Sequence, residues 1–191
     1  MSFHPTDYGA VFSRWIDTDR TRPLDAGRPV ANARGGLREL DVDSAFADAP
    51  LADCAMAECC LSAVWLLYDF LDESHTISQG IQNASGSFWH AIMHRREGDY
   101  SNAKYWFRQV GDHPVFPALQ QAAEDLAGSA ESETALVLAR QDAWDPFRFV
   151  DLCQAAVRGR TADEPVLRKL QQAEWELLFD HCYRRATGSA T

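Results

Sequence analysis

Lysine is nearly absent from this chain, at two residues in 191 against sixteen arginines. The bias fits codon composition as readily as a need for bidentate carboxylate or phosphate recognition. Net positive charge is lacking too. A formal charge of −10 and a pI near 4.9 argue against a general nucleic-acid binder, whose affinity rests on neutralising phosphates. No long apolar run occurs: the longest, Leu61 to Leu71, contains Asp69 and is far too short for a bilayer. The opening stretch MSFHPTDYGAVFSRW has no charged region followed by an apolar one, so no signal peptide is expected. The five cysteines, at 54, 59, 60, 153 and 182, form no CxxC pair; they read as reduced, buried thiols of a soluble cytoplasmic protein. Neither GxGxxG nor a Walker A pattern is present, and Ser85–Gly86–Ser87 follows no strand, which excludes a nucleophile elbow.

Period-2 alternation between turn signals is also missing, which makes the expected fold all-α: a single domain over 1–191 with about seven helices. Residues 1–50 carry Pro23, Pro29 and several glycines and read as a largely irregular wrapping segment, with a short helix at Tyr8–Ile16 and Asp43 capping a turn at Ala45–Phe46. A helix is expected over 51–73, apolar over about 200° of its circumference. Its remaining arc carries Glu58, Ser62, Trp65, Asp69, Asp72 and Glu73. That acidic stripe is either a solvated face or the wall of a polar pocket.

The densest chemistry lies between Gly86 and Pro114, where an antiparallel hairpin of helices 87–97 and 100–110 is expected, with Gly98 as stop and Asp99 as cap. Further helices are expected from Pro114/Pro117 to Gly128, over Glu131–Gln141, over Pro146–Arg158 after the Asp145 cap, and from Asp163 or Glu164 to about Arg185. The last helix places Glu174 and His181 on its apolar face as either a buried acid–imidazole pair or separately satisfied core residues.

His90, His94 and Glu97 fall at i, i+4 and i+7 of the first hairpin helix, a spacing that brings two imidazoles toward one point. His75, Glu73 or His113 would complete such a site, and a divalent metal is the cofactor it would take. The glutamate of HExxH is absent, since Ala91 follows His90. On the second helix Tyr100, Ala103, Trp106, Phe107 and Val110 make the core face. Lys104 and Arg108 form a basic ridge which, with Arg95 and Arg96, would hold a small anion.

Two resemblances rest on these residues. GDYSNAKYWFRQV is similar to the junction and second helix of a tetratricopeptide-type hairpin, as a single copy without a second at the repeat period. The blocks LLYDFLDESHTIS (66–78), SFWHAIMHRREGDYSNAKYWFRQVGDHP (87–114) and WDPFRFVDLC (144–153) resemble an uncharacterised family of small helical bacterial and fungal proteins. That likeness implies a functional concentration at Asp69, Asp72, Glu73, His75, His90, His94, Arg95, Arg96, Glu97, Asn102, Lys104, Tyr105 and His113, and it names no substrate or reaction.

Three readings follow. One is a small-ligand, anion or metal site between helix 51–73 and hairpin 87–110. Its ligand residues would be Asp69, Asp72, Glu73, Arg95, Arg96, Asn102, Lys104 and Tyr105, and its metal ligands His75, His90, His94, Glu97 and His113. Another is a non-catalytic helical module that docks a peptide or a second copy of itself. The third is a buried Glu–Arg–His network that only locks the helices together.

Overall fold

The computed structural model describes residues 3–129, 132–161 and 163–189. Among them are eleven α-helices and no strand: α1 Gly9–Ile16, α2 Arg34–Arg38, α3 Val42–Ala45, α4 Cys54–Leu67, α5 Leu71–Ser78, α6 Ala84–Glu97, α7 Tyr100–Val110, α8 Phe116–Ser129, α9 Glu133–Ala139, α10 Pro146–Val157 and α11 Glu164–Thr187. The all-α expectation holds, but the count of about seven is too low. In the N-terminal fifty residues α1 falls where a short helix was expected at Tyr8–Ile16, and α2 and α3 are added where mostly irregular chain and a turn were expected. Asp41, rather than Asp43, caps α3, accepting from Ser44 N at 2.8 Å. The first helix of the expected hairpin begins at Ala84, because Asn83 accepts from Gly86 N at 2.8 Å and so starts the helix three residues early. The expected start of α9 at Glu131 lies outside the described residues.

Helix α4 is the axis of the molecule. Asp53 caps it, accepting from Met56 N at 3.1 Å, and ten of its fourteen residues are buried. One side of α4 is covered by α5 and α6, with α7 packed on α6; the other is covered by α11, which also carries α8, α9 and α10. One apolar core runs from Tyr8 to Ala186, with Trp89, Phe12, Phe88, Phe107, Phe149 and Phe179 fully enclosed. Each such ring contributes roughly 1.5–3 kcal/mol relative to exposure. Four of the cysteines are buried and free as expected, whereas Cys54 is exposed in the first turn of α4.

The continuous helix expected over 51–73 does not form. It stops after Leu67, and Asp69 takes a left-handed conformation with φ of 63° before α5 begins. Asp tolerates this region better than most residues. Here three donors hold it: the Arg22 guanidinium, Arg96 Nη2 at 2.6 Å and Arg28 N at 3.2 Å. Two of those donors come from the N-terminal segment, so nothing local in sequence announces the break. Ser62 and Trp65, expected on a polar arc, are buried; Ser62 Oγ lies 2.9 Å from Ser74 Oγ across the α4–α5 corner.

Close approach also fixes the entry to α6. A Cβ added at Gly86 would lie 2.5 Å from the side chain and the carbonyl oxygen of Ile81. Replacing Gly86 by alanine is therefore expected to destabilise the fold by about 1–3 kcal/mol through overpacking. A downward shift of the urea midpoint at unchanged slope checks this.

Candidate functional site

Three histidines converge where α5 meets α6. His90 and His94, one turn apart on α6, stack with ring centroids 4.6 Å apart and planes 20° from parallel. His75, from α5, stands edge-on to both, at 4.7 Å from His90 and 5.4 Å from His94. One nitrogen from each ring lies within 4.8 Å of the others. A tetrahedral ion with nitrogen bonds near 2.05 Å needs nitrogens about 3.4 Å apart, so the rings would have to close in around it.

His90 is the unusual member. It is 2% exposed and stacks on Trp106 of α7 at 4.1 Å, and neither of its ring nitrogens has a hydrogen-bond partner among the described residues. Leaving such groups unpaired in the interior costs on the order of 1–3 kcal/mol each. Burial, reinforced by His94 and His75, pushes its pKa down to about 3, so the ring is neutral and keeps a lone pair.

His94 is held from two sides. Its Nδ1 is 2.5 Å from Glu97 Oε1, and its Nε2 is 3.0 Å from Asn102 Nδ2. With Nδ1–H donating to the carboxylate, Nε2 carries the lone pair and accepts from the Asn102 amide. That is the tautomer of a metal-ligating histidine with a carboxylate behind it. The Asn102 amide has to give way if an ion takes Nε2. Glu97 thus stands behind His94 instead of joining the three imidazoles, as the i+7 spacing had suggested.

The remaining candidates lie elsewhere. Arg95 points into the core, where its guanidinium binds both oxygens of Glu174 and lies 4.6 Å over the Phe149 ring. Both partners of this ion pair are fully buried. Glu174 is therefore not paired with His181, the pairing that the shared helix face had offered. Arg96 donates to Asp69, to Leu66 O at 2.9 Å and to Asp25 O at 3.1 Å. Neither arginine is open to an external anion: Arg95 is fully buried with both terminal nitrogens on Glu174, and Arg96, 2% exposed, is bound to Asp69 and to backbone carbonyls. The buried Asp69 is likewise spent on Arg22 and Arg96.

Glu73 pairs with Arg34 at 2.5 Å, Asp72 is exposed, Lys104 pairs with Asp151 at 2.6 Å, and Tyr105 is half exposed beside Trp106. His113 belongs to another corner, packed on Phe88 and His181. Its Nδ1 accepts from Val115 N at 3.3 Å, so its Nε2 donates to Ser85 Oγ at 3.1 Å. In that tautomer His113 is no base for Ser85, and it is no ligand for the three-histidine cluster.

Sequence reasoning missed Trp106, which it assigned to the core face, as the platform under His90. It also missed Glu174, Gln171, Arg22 and Arg34 as the partners that silence the charged candidates. Their positions, up to 79 residues from the groups they bind, leave no local signal.

Comparison with family models, with curated proteins and with solved structures finds no match for this chain. No helix among the described residues is long and apolar enough to cross a membrane.

Proposed function

We propose that this protein binds one divalent transition-metal ion through His75, His90 and His94. Glu97 orients His94 from behind, and Trp106 fixes the plane of His90. The observation that carries the reading is His90: two unpaired nitrogens on a buried, neutral ring, within reach of two further imidazoles. Buried polar groups without partners are rare in folded proteins, and an ion ligated by His90 would satisfy one of them. Imidazole donors in this number suit zinc and its neighbours better than magnesium or calcium, which prefer oxygen.

Such an ion would supply a Lewis-acid centre with a coordination position open to water or to a small anionic ligand. The chain's own part is to bring three imidazoles together, fix the tautomer of His94 through Glu97 and Asn102, and limit access by burying His90 and His94. Any anionic ligand would be held at this position, since Arg95 and Arg96 are engaged inside. The test is metal content: chelator-stripped protein should take up one Zn²⁺ or Co²⁺ per chain. An interaction module gains no comparable support. The exposed large apolar residues among those described are Leu51 before α4, Tyr105 on α7, Leu136 on α9 and Val157 at the end of α10.

A further inference from the structure

A neutral amide stands beside the three-histidine cluster. Half-buried Asn102 lies in the first turn of α7, where Asp99 Oδ1 accepts from its backbone N at 3.0 Å and fixes its place. Its side-chain Nδ2 is 3.0 Å from His94 Nε2 and 3.4 Å from His94 Nδ1. Such similar distances put the amide nitrogen beside the imidazole, off the axis along which the Nε2 lone pair points. Among the described residues the amide has no acceptor other than this ring. An ion that takes Nε2 removes that acceptor, and the amide gives way by turning its N–H toward the ligand the ion holds.

The charges nearby limit what that ligand is. Glu97 and Asp99 each bring a carboxylate oxygen within 4.8 Å of a His94 ring nitrogen, while Arg95 and Arg96 are engaged inside. The ion's two positive charges then face two negative ones. A dianion at the open position has no further cation to balance it, and a monoanion meets half of that repulsion. We infer that Asn102 selects a small carboxylate at the open coordination position, where one carboxylate oxygen binds the ion and accepts from Asn102 Nδ2–H. The inference rests on the three-histidine metal reading and adds to it a ligand class and the residue that recognises it. A carboxylate meets both requirements: it carries a single charge, and its lone pairs serve an ion and a hydrogen bond together.

Acetate titrated into the Co²⁺-loaded full chain tests this, read by the shift of the visible d–d bands as acetate enters the coordination sphere. Asn102→Ala should weaken acetate about tenfold, the order of one hydrogen bond to a charged group. Its Co²⁺ affinity should be unchanged or higher, because the amide no longer competes for Nε2. Asn102→Asp keeps the shape and puts an acid in the first turn of a helix, where it is favourable, so it serves if the alanine variant does not fold. It should weaken acetate at least as much. Sulfate should bind the parent protein more weakly than acetate. Equal acetate affinities in parent and variants overturn the role of Asn102, and sulfate binding as tight as acetate overturns the ligand class; both leave the three-histidine reading intact. A parallel fall in Co²⁺ affinity in Asn102→Ala also overturns the role, because the amide would then support His94 and not the ligand. Parent bands that acetate does not move overturn the inference with the metal reading intact. No Co²⁺ uptake by the parent protein overturns both readings.

Discussion

Replacing Glu174 by alanine is expected to lower the unfolding free energy by about 3–5 kcal/mol, the usual cost of stranding one partner of a buried ion pair. Glu174 and Arg95 are both fully buried, and the guanidinium binds both carboxylate oxygens. Without Glu174 the guanidinium keeps, among the described residues, Gln171 Oε1 at 3.4 Å and the face of Phe149. The pair itself adds little net stability, since desolvating two ions offsets most of their attraction. The double replacement Arg95→Met with Glu174→Met should therefore recover most of the deficit. Urea unfolding of the two variants beside the parent checks both halves. A loss below about 1 kcal/mol in Glu174→Ala would mean that the pair is hydrated rather than enclosed.

His90→Phe should separate stability from ligation. In chelator-treated protein it should leave stability unchanged or raise it by about 1–2 kcal/mol, since two unpaired nitrogens are removed and stacking on Trp106 is kept. With metal present the order reverses. The parent should gain about 4 kcal/mol at an ion concentration 1,000 times its Kd, whereas the variant gains almost nothing. Affinity for Zn²⁺ should fall more than about 100-fold, beyond the 10- to 100-fold typical of losing an outer partner such as Glu97. Thermal melts with and without the ion read both effects. A variant destabilised in the absence of metal would make His90 an ordinary core residue with a partner that the geometry does not reveal.

These two residues also show what the sequence could and could not convey. The His90–His94 spacing is a local property of a helix, and the helix was legible from Gly98, Asp99 and the apolar period. The pairing of two imidazoles on one face was therefore readable, and His75 was within the short list of third members. What failed was everything decided by distant chain. Arg95 and Arg96 look like anion ligands in a linear reading, because a run of His-Arg-Arg-Glu shows charges without their counter-ions. Their acceptors come from α11, from the α4–α5 break and from the segment around Asp25. The break itself depends on Arg22 and Arg28 reaching Asp69, so a helix that was continuous in its periodicity is split in space. His113 shares a helical neighbourhood in sequence with His94, yet α7 and the turn before α8 carry it to the opposite end of α6. Polar residue types located the region; only the fold could say which of them are already satisfied.

Ligation of an ion by His75, His90 and His94 stands or falls on metal stoichiometry. Full-length protein stripped by chelator and titrated with Co²⁺ should develop visible d–d absorption that saturates at one ion per chain, and His90→Phe should show none. A parent protein that binds no Co²⁺ or Zn²⁺ above background, or a His90→Phe variant that binds as well as the parent, would contradict it.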